Sequence, residues 1–400
     1  MNVLQKLLIP ILLFQCLETS AQMIEITDFG NNSGNLKMFL FEPSNPKTDA
    51  EVVLVLHGCG QNASNFAEQT GWNVLAEQYG FYVIFAEQKV INNPTRCFNW
   101  FLSSDNERDI GEAKSLIDMV NYVHNNFSTD NTKNFVCGLS AGGAMTPVML
   151  ACYPDVFKSG GTWAGVPYLY EPTGNNDITP MEWGDKVRNA FSSYSGAYPT
   201  LFICQGTDDT VTEPINESRL VAQWTNIHDS DQIPDETELN FNGNADIEEN
   251  IYLNNSNDTI IKSYTIQDMG HGIAVDPGNE IFQGGQTSAG SYDVDFYSTY
   301  WMARFFGLIP DDMVNSVQQI YESEIETYIN NDGSLKITTN ENLHQLQMIL
   351  FDISGRRILT QNFNQETIIS SSQLNNNRII IISIYNKNKK RVYSKLLVRN

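Results

Sequence analysis

Apolar residues along this chain follow two rhythms, and the change between them falls near residue 310. In the earlier part, short continuous apolar runs alternate with longer stretches of helical spacing. Val52 to Leu56 is such a run, and Phe81 to Ala86 is another. Continuous β-branched runs suit strands buried on both faces of a parallel sheet. Residues 24–27, 37–42, 133–137, 200–204 and 261–266 read as further strands, the first two as a leading hairpin. Phe66 to Tyr79 has helical spacing and stops at Gly80, a C-terminal cap. Arg108 to Asn126 is a helix with Ile110, Ala113, Ile117, Val120 and Val123 on one face. Ser291 to Phe306 reads as a closing helix, aromatic on its inner side. Alternation of this kind predicts an α/β domain with a mostly parallel sheet.

Beyond Pro310 to Gln318 the pattern becomes short strands with turns and no helix. Residues 334–337, 346–352, 357–359, 379–385 and 391–398 predict a small all-β sandwich. The isoleucine-rich strand 379–383 would be an aggregation hazard at an open edge, so it is expected inside that sandwich. The expected organisation is a leader over 1–21, the α/β body over 22–309, a linker over 310–325 and the sandwich over 326–400.

Composition adds three constraints. The formal net charge is −23, unevenly spread: residues 321–400 carry 10 Lys+Arg against 7 Asp+Glu, while residues 1–320 carry 14 against 40. An acidic body argues against nucleic acid, whose phosphates are bound largely through cations. Residues 225–260 are rich in Asp, Glu and Asn. His228-Asp229-Ser230-Asp231 matches no calcium-loop spacing, so a solvated insertion is expected there. The N-terminus pairs Lys6 with an apolar stretch, Leu7 to Leu17, and then Ser20-Ala21-Gln22. That is the layout of a secretory signal peptide cleaved after Ala21, too short to span a bilayer. Gln15 stands where lipid modification of Cys16 would need a small residue.

With Cys16 lost, Cys59, Cys97, Cys137, Cys152 and Cys204 remain. In an exported chain at least one pair is expected. Cys137 and Cys204 end core strands and read as buried thiols. Cys59 and Cys97 lie in loops and are expected to form a disulfide.

Candidate chemistry centres on Gly138-Leu139-Ser140-Ala141-Gly142-Gly143, between a strand and a helical run. A G-x-S-x-G turn in that context is the nucleophile elbow of α/β-hydrolases. A serine needs a base to take its proton and an acid to orient the base, in the chain order Ser, Asp or Glu, His. His57 and His124 precede Ser140, and His344 lies in the sandwich, which leaves His228 and His271. His271, in Gly270-His271-Gly272 just after a strand, is the expected base. The acid should follow the strand 200–204. Asp208 and Asp209 both qualify, and Asp209 is favoured because it stands three residues after Gly206. The oxyanion needs two backbone N–H donors. Ala141 supplies one. The loop after residue 56 supplies the other, with Cys59 expected ahead of Gly60. Trp72, Trp100, Trp163 and Tyr168 lie near rim loops, and the last three are the expected substrate-binding aromatics.

The body, about residues 35–309, resembles the polyhydroxybutyrate-depolymerase-like esterases, related to the feruloyl and acetylxylan esterases of carbohydrate esterase family 1. His57-Gly58-Cys59-Gly60-Gln61, Thr70-Gly71-Trp72, Glu87-Gln88 and Cys97-Phe98-Asn99-Trp100-Phe101 carry this likeness. So do the elbow, Tyr153-Pro154-Asp155-Val156-Phe157, Gly206-Thr207-Asp208-Asp209 and Gly270-His271-Gly272. Phe98 departs from the tryptophan common there. The resemblance also implies the Cys59–Cys97 bridge and the Cys59 donor. Phe351-Asp352-Ile353-Ser354-Gly355-Arg356 and Lys395 to Arg399 resemble the sorting domain of the type IX secretion system, which the export machinery reads.

These readings combine into an α/β-hydrolase fold followed by a small β-sandwich, in a secreted serine esterase. Neither a metal nor an organic cofactor is expected. The expected substrate is a feruloyl or acetyl ester of plant polysaccharide. A polyhydroxybutyrate or other polyester is the alternative within the class. A non-catalytic polysaccharide-binding protein on a hydrolase scaffold is the alternative outside it. A peptidase is disfavoured, since no extra lid domain is evident.

Overall fold

The structure is a computed structural model that describes residues 22–278, 282–310, 325–330, 332–339, 345–351, 357–374, 379–385 and 391–398. The expected leader with Cys16, most of the expected linker, His344 and residues 352–356 of the terminal motif lie outside the described residues. The chain divides into two compact units, Met1–Leu308 and Ile309–Asn400.

The first unit runs β1 (Gln22–Ile26), β2 (Lys37–Glu42), β3 (Ala50–Leu56), α1 (Ala63–Thr70), α2 (Trp72–Tyr79), β4 (Tyr82–Glu87), α3 (Gly111–Asn126), β5 (Thr129–Leu139), α4 (Ala141–Cys152) and β6 (Phe157–Trp163). It continues α5 (Pro180–Ala190), β7 (Thr200–Gly206), α6 (Ile215–Ile227), β8 (Glu236–Glu238), β9 (Ile247–Leu253), β10 (Thr259–Ile266), β11 (Ile273–Val275), β12 (Ser291–Asp293) and α7 (Ser298–Phe305). One sheet has the order β1-β2-β4-β3-β5-β6-β7-β10-β9-β8. From β4 to β10 every neighbouring pair is parallel, and the antiparallel strands lie at the two edges. Every residue of β3 is buried, as a continuous apolar run between helical layers requires. Parallel order also brings the ends of β3, β5, β7 and β10 to one rim. Leu56 pairs with Gly138, Leu139 with Trp163, and Gly206 with Ile266.

Three expectations change. The helix read over 66–79 is two helices, because Gly71 sits at φ +67 and caps α1 through its N–H on Ala67. The closing helix begins only at Ser298. Residues 291–293 instead form β12, parallel to β11, and Asp295 turns the chain at φ 53. The acidic stretch 225–260 is not merely a solvated insertion: it supplies the end of α6 and the strands β8 and β9, the latter antiparallel to β10.

In the second unit β13 (Ile325–Ile329), β14 (Leu335–Thr339) and β17 (Glu366–Ile369) form one sheet. β15 (Leu346–Phe351), β16 (Arg357–Phe363), β18 (Ile379–Tyr385) and β19 (Arg391–Val398) form another. Ile325, Leu335, Ile337 and Ile369 of the first meet Met348, Leu350, Ile380, Ile382 and Ile384 of the second in one core. The isoleucine-rich β18 is interior to its sheet, between β15 and β19.

Candidate active site

The turn between β5 and α4 is built by contact, not by preference. A Cβ on Gly142 would stand 2.1 Å from the Leu56 carbonyl oxygen, and one on Gly138 would stand 2.4 Å from the Gly142 carbonyl carbon. Only glycine permits that approach. Ser140, at the tip, holds φ 55 and ψ −115, a conformation costing about 1–3 kcal/mol for a residue with a side chain. Its N–H donates to the Trp163 carbonyl at 2.9 Å, and its own carbonyl accepts from Ala144 at 2.7 Å. The serine therefore sits at the N-cap of α4, where the helix dipole favours negative charge.

The loops after β7 and β10 are stitched together. Thr207 N–H donates to the Ile266 carbonyl, Asp208 N–H to Met269, and Asp268 N–H to the Thr207 hydroxyl. This stitching sets Asp209 against His271. Asp209 Oδ2 accepts from His271 Nδ1 at 2.8 Å and from Gln205 Nε2 at 3.2 Å, while Oδ1 accepts from the N–H groups of Val211 and Thr212. Asp209 is only 2% exposed. Burial pushes its carboxyl up, but the bonds from His271, Thr212 and Val211 outweigh that and hold it below the usual range. Asp208 is exposed. His271 keeps 21% of its side chain open, and the bond at Nδ1 leaves Nε2 as the nitrogen free to exchange a proton. The following strand is pinned by Ile273 N–H on the Gly290 carbonyl, and Gly290 borders Leu139, the residue before Ser140.

On the other side of the serine lies the loop after β3. Cys59 and Cys97 are bonded, while Cys137, Cys152 and Cys204 are buried free thiols. The N–H groups of Cys59 and Ala141 have no hydrogen-bond partner among the described residues. His57 is buried: its Nδ1–H donates to the Gly58 carbonyl at 2.7 Å, and Nε2 accepts from Gln88 N–H at 3.0 Å. Burial pushes its basicity down, so it is neutral near pH 7.

Trp163 and Tyr168, expected to bind substrate, are core residues instead. Trp163 is fully buried and its Nε1–H donates to Ser298 Oγ at 2.8 Å. Tyr168 is buried too, with its backbone held by Gln223 and its hydroxyl on the Asn106 carbonyl. Trp72 is likewise in the core. Trp100 remains half-buried beside Phe101 and Tyr170. His228 lies away from the serine, with Nε2 on the Pro199 carbonyl.

Several polar residues around the site were given no role in the sequence reading: Gln205, Gln88, Asn99 and Glu112. Glu112 accepts from Asn99 N–H, Asn99 Nδ2 and Gln88 Nε2. Burial pushes its carboxyl up to about 8 despite those bonds. A signal was present: Glu112 shares a helical stripe with Leu116, Met119 and Val123, all fully buried.

A parallel sheet with a strained serine at its rim, and a histidine–aspartate pair in neighbouring rim loops, has the architecture of an α/β-hydrolase. Known proteins narrow the class to carboxylic ester hydrolases. The chain is 37% identical over 309 residues to poly(3-hydroxyalkanoate) depolymerase C of Paucimonas lemoignei, covering 75% of this chain and 73% of that one. It is 30% identical over 276 residues to an acetylxylan esterase of Coprinopsis cinerea, covering 66% and 72%. Among solved structures, the acetyl xylan esterase from Aspergillus awamori matches with a TM-score of 0.57 at 26% identity, over 62% of this chain and 94% of that one. Residues 38–227 match the family described as Esterase PHB depolymerase, and the chain belongs to that family.

Proposed function

We propose that this chain is an exported serine esterase that cleaves the backbone of an apolar polyester of hydroxy acids. Ser140 Oγ attacks the ester carbonyl carbon while its proton passes to His271 Nε2. The Cys59 and Ala141 N–H groups hold the resulting oxyanion. His271 then returns the proton to the leaving alkoxide, which leaves an acyl group on Ser140. Water repeats the sequence and releases the acid. Asp209 keeps His271 in the Nδ1–H tautomer and offsets the charge of the imidazolium. The observation that carries this reading is the Asp209–His271 hydrogen bond on the rim that also bears the strained Ser140.

Two observations support the polyester. The relative with 37% identity is a depolymerase of that kind. The rim loops also expose Val90, Ile91, Phe101, Leu102, Leu169 and Val211, an apolar fringe suited to a water-poor polymer. The second reading, acetyl or feruloyl esters of polysaccharide, is favoured by the likeness to the acetyl xylan esterase structure and by the acidic charge.

Export through a cleaved leader and a sorting domain over 326–400, read by type IX machinery, is part of the proposal. It is supported by the Cys59–Cys97 bridge and the terminal motifs. Among the described residues no helix is long and apolar enough to cross a membrane.

The test uses protein recovered from culture medium, with its termini read by intact mass. It is assayed on polyhydroxybutyrate, acetylated xylan and methyl ferulate beside Ser140→Ala. Turnover of the polyester that vanishes in Ser140→Ala, in protein beginning at Gln22, is expected. Preference for xylan or ferulate selects the second reading. Activity persisting in Ser140→Ala, or polysaccharide binding with no turnover of any ester, overturns the assignment.

A further inference from the structure

The geometry points to Glu112 as the positioning residue of the oxyanion site: its buried carboxyl group is the hub from which two separate linkages set the Cys59 N–H. This inference rests on the reading of Ser140 and Cys59 given above, and goes beyond it to a residue outside the reacting groups.

The first linkage is made of hydrogen bonds. Glu112 Oε1 accepts from Gln88 Nε2, whose side chain is thereby fixed at the end of β4. The Gln88 backbone N–H donates to His57 Nε2 at 3.0 Å, which forces the ring proton onto Nδ1. His57 Nδ1–H donates to the Gly58 carbonyl at 2.7 Å. That carbonyl and the Cys59 N–H belong to one peptide unit. Among the described residues no peptide bond is cis, and in a trans unit the two groups point in opposite directions. Holding the Gly58 oxygen toward His57 therefore turns the Cys59 N–H away from it, toward the space beside the serine.

The second linkage is covalent at its end. Glu112 Oε2 accepts from Asn99 N–H at 2.8 Å, and Oε1 also accepts from Asn99 Nδ2 at 2.7 Å. Gln88 Nε2 reaches the Cys97 carbonyl as well, at 3.2 Å. These bonds fix the 97–99 segment, and Cys97 is joined to Cys59 through the disulfide. Both arms leave one carboxyl group and end at one residue. Glu112 is fully buried and touches no solvent, so its role is not that of a surface charge.

A purely structural carboxyl group would, on removal, lower stability and leave the balance between substrate and transition state alone. A positioning one moves that balance. Glu112→Gln keeps the shape but puts an NH2 group among donors, so at least one of the three bonds is lost. Kinetics on a soluble aryl ester are compared for wild type, Glu112→Gln, Gln88→Met and Ser140→Ala. The inhibition constant of a trifluoromethyl ketone, which forms a tetrahedral oxyanion on the serine, is measured alongside. In Glu112→Gln, kcat is expected to fall about 10- to 100-fold with KM within about twofold. Losing one oxyanion donor outright costs about 100- to 1,000-fold. The ketone should weaken by the same factor as kcat/KM. Gln88→Met removes the side-chain bonds but keeps the N–H on His57, so a smaller loss in the same direction is expected; it carries the test alone if Glu112→Gln does not fold. Unchanged kcat and ketone affinity in the folded variants overturn the inference, as does a loss carried by KM alone. Activity surviving in Ser140→Ala instead overturns the reading beneath it.

Discussion

The two units of this chain bury apolar surface in different ways, and only one of those ways collects chemistry. In the body β3 is buried along its whole length, with helices on both sides of the sheet. The six neighbouring strands β4, β3, β5, β6, β7 and β10 run in the same direction, so the loops at their ends gather at one rim whatever their distance in sequence. Ser140, Asp209 and His271 come from three such loops. In the sandwich the strands alternate, as in β14, where Leu335 and Ile337 are buried and Lys336 is half-exposed. Antiparallel strands return chain ends to both edges, so no single rim collects the loops. The comparison teaches that the candidate site follows from strand direction more than from residue content, since the sandwich has serines and acids of its own.

The sharpest way to test that contrast is Asp209→Asn. It leaves the volume of the buried site intact and removes only the acceptor that holds His271. A fall in kcat of about 1,000- to 10,000-fold is expected, measured on a soluble ester with circular dichroism as the fold control. A loss below tenfold would mean that the gathered rim is not the site. The converse test is Ile382→Ala in β18. Truncating a fully buried isoleucine costs about 2–5 kcal/mol, so an early thermal transition is expected while ester hydrolysis stays within twofold. Activity that falls with that transition would break the division of labour between the units.

A subtler difference is in pH. Asp209 is held below its unfolded value, so its contribution is full above about pH 4 and is lost as pH falls through its native pKa. Glu112 has the opposite sign. With its carboxyl up at about 8, the native body keeps a proton that the unfolded chain has released above about pH 4.3. Body stability should therefore decline between about pH 4.5 and 8, by about 5 kcal/mol in total. Denaturant titrations across that interval should show the slope flattened in Glu112→Gln. An identical slope in the variant would remove Glu112 as its source.

Much of the body could be read from sequence because its physics is local. The elbow needs glycine on either side of the serine, and the close approach of Gly142 to Leu56 is the reason. The spacing from Gly206 favoured Asp209, and Asp209 is the carboxylate that meets His271. What escaped reading is what packing alone decides. β6 contains Ser159-Gly160-Gly161 and looks like a loop. It is a strand paired with β5 and β7, and its glycines are what packing demands: a side chain at Gly160 would run into Leu150 of α4, and one at Gly161 into Met302 of α7. β9 hid in an acidic stretch, since a strand near the sheet's edge with one open face can carry Glu248 and Asn250. Trp163 looked like a rim aromatic, yet its register against Leu139 and Cys204 turns it into the core. Glu112 was overlooked because a single acid in an apolar stripe is invisible until its partners, distant in the chain, are known.

The three sealed sulfhydryls have a practical consequence. Burial pushes the Cys137 and Cys204 thiols up and the Cys152 thiol to about 12, so none forms a thiolate near neutrality while the body is folded. Unfolding returns all three to ordinary acidity, within reach of the one bridge that two other cysteines share. Exchange through mixed disulfides then becomes open to every unfolded chain. The compact body thus guards its own redox pairing, and each excursion from it is a chance to lose the loop that carries Cys59.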